Sequence, residues 1–314
     1  MPGFIRLFPA IYRPDSVRDL RSLPLHHLDK ALNMTSSAHI VSTEWLAKNL
    51  NSPDVVIIDC RKSKPGITPP IDFHSKYLEA HIPGAIYVEV DNISDCSTGL
   101  PHMMPTEEAF SASMSRLGVA DGQTVVLYDE GDLFSAPRVW WMLTSFGAKS
   151  VRVLDGGLNA WIAEGRPTQS GEIVRVPATF TAKLVRPVVV SAEQVQDALG
   201  KVQIIDARSL GRFKAEQPEP RPRLHGGHIP GSLSVPFTEL TENGHLKSPQ
   251  ALKATFERLG VDLTKPVITT CGSGVTAAAL AFGLDSLGVK EVMLYDGSWA
   301  EWGNIDEDYP IETH

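Results

Sequence analysis

The chain repeats itself, and that repeat constrains its architecture more than any single residue does. VVIIDCRKSK followed by HIPGAIYVEVDNI recurs as VQIIDARSLG followed by HIPGSLSVPFTEL. Asp59 answers to Asp206 and His81 to His228, and both separations are 147 positions (206 − 59 and 228 − 81). One offset shared by two segments marks a duplication. Further on, TVVLYDEGDLFSAPRVWW with its later VRVLDGGLNAW answers PVITTCGSGVTAAALAF with its later VMLYDGSWAEW, so Asp129 stands where Cys271 stands. Only the second copy ends its buried strand in a candidate nucleophile.

Inside each copy, β-branched runs of strand length (VVIID, TVVLYD, VRVLD, then VQIID, PVITT, EVMLYD) alternate with helical stretches such as TEEAFSASMSRLG and SPQALKATFERLG. Alternating β and α predicts an α/β fold: tandem duplicated domains, each a mostly parallel sheet with helices on both faces. Such sheets carry their chemistry just beyond the C-terminal ends of the strands. At 314 residues and 42% hydrophobic content, two cores are feasible. The expected organisation is an extension over residues 1–39, a first domain over 40–166, a linker over 167–187 and a second domain over 188–314. The linker is read from PTQSGEIVRVPATFTAKLVRP, which is polar, carries three prolines and has no helical period.

Composition removes several function classes. The net charge is −8 and the basic residues are dispersed, so nucleic acid is not an expected direct ligand. No run approaches the roughly 18 apolar residues of a membrane span. Three cysteines, Cys60, Cys96 and Cys271, cannot build a disulfide framework and fit a reducing compartment, mitochondrial or cytoplasmic. The first 39 residues match neither copy. Arg6, Arg13, Arg18, Arg21 and Lys30 suit a mitochondrial presequence, whereas Asp15, Asp19 and Asp29 suit a disordered tail. No closely spaced Cys/His set suggests a metal, and no cofactor is expected.

Cys271 closes PVITT and is followed by GSGVTAAALAFGLDSLG, where a Gly-containing loop gives way to a strong helix former. A strand, a short loop and a helix N-terminus aim backbone N–H groups at one point and favour an anion there. A cysteine in that position is expected to have its thiolate stabilised and to act as a nucleophile. Gly272 and Gly274 let the backbone curl. Cys60, replaced by Ala207 in the other copy, reads as a core residue, and Cys96 as an exposed loop thiol. His81 and His228 occur in both copies, one of which lacks the cysteine, so they read as a shared structural turn. Asp59 and Asp206 read as loop ties.

CGSGVTA after a parallel strand, with HIPG before it in each copy and YDGSWAEW after it, resembles the two-domain rhodanese-type sulfurtransferases over nearly everything from Ile40 to Trp302. The resemblance implies that the loop from Cys271 to Thr276, with Gly272, Ser273, Gly274 and Val275 between, cradles a cysteine persulfide, and that the first domain is an inactive partner. It further implies that Arg212 and Arg221 bind the carboxylate and keto oxygen of a mercaptopyruvate donor, with Arg208 and Arg223 as lesser candidates. A Ser-His-Asp relay maps to Ser273, His102 and Asp91, which would make the site composite between domains.

The donor is read from charge. In thiosulfate-using members the loop is basic, whereas Gly-Ser-Gly-Val is neutral and lacks the long-range attraction that a dianion would find. 3-Mercaptopyruvate needs an arginine fork away from the loop, because guanidinium matches a carboxylate with paired donors. The expected acceptors are thioredoxin-like dithiols, small thiols and cyanide. The alternatives are a thiosulfate:cyanide sulfurtransferase and a relay handing sulfur to a protein of tRNA thiolation. A phosphatase, which would need a longer loop ending in arginine, is disfavoured by Val275-Thr276-Ala277.

Overall fold

The computed structural model describes residues 39–185 and 189–313, so the expectations for the first 38 residues lie outside it. The first copy runs β1 (Ile40–Val41), α1 (Thr43–Asn49), β2 (Val55–Asp59), α2 (Phe73–Glu79), β3 (Ile86–Tyr87), a 3-10 turn (Val90–Ile93), α3 (Glu107–Arg116), β4 (Thr124–Tyr128), α4 (Ala136–Ser145), β5 (Ser150–Leu154) and α5 (Gly157–Ala163). The second runs β6 (Val189–Val190), α6 (Ala192–Ala198), β7 (Gln203–Asp206), α7 (Leu210–Phe213), β8 (Leu233–Ser234) and a 3-10 turn (Phe237–Leu240). It continues through β9 (Thr241–Glu242), β10 (His245–Leu246), α8 (Pro249–Arg258), β11 (Val267–Thr270), α9 (Val275–Ser286), β12 (Val292–Tyr295) and α10 (Ser298–Trp302). The two five-stranded sheets have orders β1-β5-β4-β2-β3 and β6-β12-β11-β7-β8, all parallel.

The near-continuous apolar strands follow from burial on both faces. Successive residues of β2 and β4 alternate between two cores. Val55, Ile57, Val126 and Tyr128 pack with Leu46, Leu158 and Trp161 of α1 and α5. Val56, Ile58, Val125 and Leu127 pack with Phe110 and Met114 of α3 and with Trp140 and Trp141 of α4. The second copy repeats this with Ile204, Ile268 and Tyr295 against α6 and α10, and Ile205, Val267 and Leu294 against α8 and α9.

Helices α4 and α9 are apolar nearly all round and buried along most of their length, the pattern of a helix covered on every side. Each lies between its own sheet and the other copy, and Trp140 meets Phe282 edge to face at 5.0 Å. A single continuous core therefore spans the seam between copies. Residues 167–185 run along the first domain. Gln169 exchanges backbone bonds with His81 at 2.8 and 2.9 Å, Phe180 N donates to Ser115 Oγ at 3.0 Å, and the Phe180 ring is buried against Phe110.

Candidate active site

Strand β11 delivers Cys271, three residues follow, and α9 begins at Val275, so Val275 and Thr276 form the first turn of that helix. The turn needs glycine at 274, where φ is +78° and a methyl group would stand 3.1 Å from the Asp296 carbonyl oxygen. Gly272 is not left-handed; a methyl there would lie 3.0 Å from Arg212 Nη2 and 3.7 Å from Arg221 Nη1. The loop is held from behind by α10. Ser298 Oγ accepts from Cys271 N at 3.3 Å and Gly274 N at 3.0 Å and donates to Tyr295 O at 2.8 Å. Trp299 N and Ala300 N donate to the carbonyls of Cys271 and Gly272 at 2.9 and 3.0 Å. Ser273 N sits 3.4 Å from Cys271 Sγ. The thiol is 2% exposed and lines a cavity of about 820 Å³ shared with Asp91, His102, Arg212, Arg221, Gly272, Ser273, Val275 and Thr276.

The first copy supplies the other wall. His102 Nδ1 is 3.0 Å from Ser273 Oγ, and its Nε2 is 2.9 Å from Asp91 Oδ1. Lys62 Nζ reaches Asp91 Oδ2 at 2.5 Å and Glu89 Oε1 at 2.8 Å. The hydrogen bond to His102, then Lys62, hold the Asp91 carboxyl well below the usual carboxylate range against partial desolvation. Burial opposes the charge of Lys62, but its bonds to Asp91 and Glu89 outweigh that and hold the ammonium above its usual range. Ionised Asp91 only accepts, so the Nε2 that faces it carries a proton, and Nδ1 faces both the Ser273 hydroxyl at 3.0 Å and the Ser273 carbonyl at 3.3 Å.

The arginines of the Pro-rich stretch separate by environment. Arg212, on α7, is oriented by buried Glu219 through Nη2 at 2.5 Å and Nε at 3.2 Å. Arg221 Nη2 donates to Ser273 Oγ at 3.3 Å; burial pulls its guanidinium below the usual range and the nearby Cys271 opposes this. Arg208 is buried and committed to Asp206, Glu219 and the Gly227 carbonyl, with its guanidinium 4.2 Å from the Trp299 ring centre. Arg223 is exposed and paired with Asp306 at 2.6 Å.

At the first copy's corresponding strand end, Asp129 accepts from the N–H groups of Gly131, Ser135 and Ala136 at 2.9 to 3.1 Å. Burial, then the charge of Asp132, push its carboxyl up, and those amides oppose the shift. The loop is longer by three residues than its counterpart, as α4 starts seven positions after Asp129 and α9 four after Cys271 (136 − 129 against 275 − 271). Asp129 lines an adjoining cavity of about 510 Å³, which shares Lys62, Phe73 and Phe134 with that of Cys271 and into which the second copy sends His245 from β10. His245 binds Asp155 at the end of β5, whereas His102 reaches the cysteine loop itself at Ser273.

Cys60 is buried, and burial pushes its thiol up; Cys96 is exposed with Sγ 3.5 Å from the Asp91 carbonyl. His81 and His228 are buried, with Nδ1 on the carbonyls of Tyr77 at 2.7 Å and Phe213 at 2.8 Å. Asp59 accepts from Arg61 and Tyr128, and Asp206 from Arg208. Lys62, Glu219, Ser298 and the Arg138–Asp296 pair were not legible as site residues. Of these, only Arg138 carried a signal, as the lone charge in an otherwise apolar helix.

The rhodanese-like domain pattern matches residues 42–164 and 191–305. The chain is 43% identical to the 3-mercaptopyruvate sulfurtransferase of Escherichia coli K12 over 88% of its length and 99% of that protein. It is 41% identical to the thiosulfate sulfurtransferase of Bos taurus over 84% of its length and 91% of that protein. The crystal structure of SseA from Escherichia coli, a 3-mercaptopyruvate sulfotransferase by its description, superposes with a TM-score of 0.77 at 42% identity, covering 85% of this chain and all of that one. A continuous two-domain match, on a fold of two parallel sheets, makes this chain a tandem-domain member of the rhodanese-like sulfurtransferases.

Proposed function

We propose that the chain takes sulfur from 3-mercaptopyruvate onto Cys271, releases pyruvate and passes the sulfur to a thioredoxin-like dithiol, a small thiol or cyanide. The Cys271 thiolate attacks the donor sulfur, forming the S–S bond as the C–S bond breaks. The electron pair of that bond goes to C3 as the enolate of pyruvate, and the proton of the donor S–H ends on C3. The enzyme is left as Cys271–S–S⁻, so atoms and charge balance without an outside oxidant. Arg212 and Arg221 hold the carboxylate and the oxygen on which enolate charge develops, where fixed cations in a secluded site count most. His102, oriented by Asp91, relays the proton through the Ser273 hydroxyl. An acceptor thiolate then takes the outer sulfur.

The observation that carries this reading is one cavity lined by the thiol, by Arg212 and Arg221 beside the committed Arg208, and by the Ser273–His102–Asp91 chain, with no cation in the Cys271–Gly274 loop itself. A thiosulfate donor is the second reading, favoured by the bovine relative's name. Free thiols fit a mitochondrial or cytoplasmic setting, and a sulfur-accepting protein of tRNA thiolation is a further acceptor to test. Intact mass of the reduced protein decides the donor. A gain of one sulfur with 3-mercaptopyruvate, lost in Cys271→Ser and weak with thiosulfate, is the expected result. A stronger adduct with thiosulfate reverses the donor assignment, and no adduct with either removes the reading.

A further inference from the structure

Arg138 is the one charge on α4 and is fully buried at the seam between the two copies. Its Nη1 pairs with Asp296 Oδ1 at 2.8 Å, and Asp296 is 1% exposed. Its Nη2 donates to the His102 carbonyl. The other oxygen of Asp296 accepts from Met104 N at 2.5 Å. The ion pair therefore grips the chain on both sides of Met103, by the carbonyl of residue 102 and the amide of residue 104. His102 needs such a grip, since it sits at φ +63° without being glycine. Arg138 Nη1 also lies 3.4 Å from the Gly274 carbonyl. One guanidinium thus touches the histidine's backbone and the cysteine's loop.

The other half of the molecule is the internal control. Asp155, the counterpart of Asp296, accepts from Leu246 N at 3.0 Å as Asp296 does from Met104 N. Its second oxygen takes the side chain of His245, again at 3.0 Å. The third residue of α9, opposite Arg138 in α4, is Ala277. The first copy's loop thus has no equivalent of Arg138, and the guanidinium beside it is Arg61, which reaches Glu130 at 3.6 Å.

We infer that Arg138 is a positioning residue for sulfur transfer: with Asp296 it clamps residues 102–104 and so aims the His102 imidazole at Ser273 across the domain seam. This rests on the relay proposed above, acts through His102, and leaves the donor's arginine fork untouched.

The test combines Arg138→Lys, which keeps the charge but not the fork, with Arg138→Gln/Asp296→Asn, which removes the pair without leaving an unpaired buried charge. Both are made also in a His102→Ala background, and melting temperatures identify the folded variants. The rate of persulfide formation from 3-mercaptopyruvate is expected to fall about 10- to 100-fold, the scale of a small misplacement of a reacting group, with little change in KM. In the His102→Ala background the same changes are expected to cost less than about 2-fold, because the residue they act through is gone. Long-range ¹⁵N–¹H correlation of the imidazole, which needs no donor, should show a single Nε2–H tautomer in the parent and an averaged one in the variants. A folded variant that keeps the parent tautomer, or a loss that persists in full without His102, overturns the inference. A parent protein that takes no sulfur from mercaptopyruvate removes the donor reading alone, and the imidazole signal still decides the clamp.

Discussion

Substituting the two glycines of the cysteine loop by alanine separates donor binding from fold. At Gly272 the backbone is outside the left-handed region, so alanine brings no conformational strain and the unfolded chain loses some freedom. Its methyl would stand 3.0 Å from Arg212 Nη2, which must retreat by about 0.5 Å to reach ordinary contact distance. Glu219 holds that guanidinium from the far side, so the retreat comes at the expense of its alignment on a bound carboxylate. A charge-assisted hydrogen bond contributes about 1.5–3 kcal/mol, and losing about half of it raises KM for mercaptopyruvate about 4- to 13-fold. The thiol and His102 are untouched, so kcat should stay within about threefold, and stability within about 1 kcal/mol. At Gly274 the balance reverses. Left-handed alanine costs about 1–2 kcal/mol, and its methyl would meet the Asp296 carbonyl oxygen at 3.1 Å and Arg138 Nη1 at 3.2 Å. Gly274→Ala should lose about 2–4 kcal/mol of stability, read by calorimetry. Steady-state pyruvate release gives KM and kcat for both proteins. A Gly272→Ala enzyme with unchanged KM, or with the whole loss in kcat, would refute the placement of the donor carboxylate on these arginines.

Lys62→Met should lower stability at neutral pH by less than about 1 kcal/mol, since Asp91 is half exposed and the pair is partly screened. Asp91 has its carboxyl lowered by His102 and Lys62. Its contribution is present above the unfolded value of about 3.9 and is lost as pH falls through the folded one. The gap in melting temperature between parent and variant should therefore narrow below about pH 4, and a gap that stays constant through the acid range would contradict the pairing. Asp129→Cys should acquire no sulfur at position 129 from mercaptopyruvate by peptide mass mapping in a Cys271→Ser background. Its loop is three residues longer, and neither Arg212 nor Arg221 lines its cavity; sulfur found at position 129 would show that the loop shape does not matter.

The six long strands were legible because each is a β-branched run that the sheet buries on both faces. Four of the edge strands, β1, β3, β6 and β8, are only two residues long and leave no period to detect. Cys271 was legible because its surroundings are local: strand, glycines and helix follow one another in the chain. Arg208 stands apart locally, because it follows Asp206 by two residues as Arg61 follows Asp59 in the other copy, and each is paired with that aspartate. Nothing local distinguishes Arg212 and Arg221 from Arg223, whose partner Asp306 lies 83 positions on and is set by tertiary packing. Ser298 is silent for the same reason. It is a serine at φ +51° whose hydroxyl bonds a loop 24 to 27 residues earlier in the chain.

A duplicated domain without the cysteine is free to lack the rest of the site as well, yet the first copy presents Lys62, Asp91, His102 and Arg138 to the second. Those four residues lie on separate segments; His102 and Arg138 touch the loop that follows β11, Asp91 acts on it through His102, and Lys62 through Asp91. The two long apolar helices explain how the convergence is kept. Burying α4 against α9 through Trp140 and Phe282 stabilises the seam, and the same helix α4 carries Arg138 at its first turn. Any slide of one domain on the other would disturb the His102 bond to Ser273 and the Arg138 bond to Gly274 together. Hydrophobic burial at the seam and geometry at the cysteine are therefore one property of this fold. The first copy, which has no cysteine at this strand end, forms one wall of the cavity around Cys271, and its own strand end is closed by Asp129 bonding the amides that an anion would otherwise find.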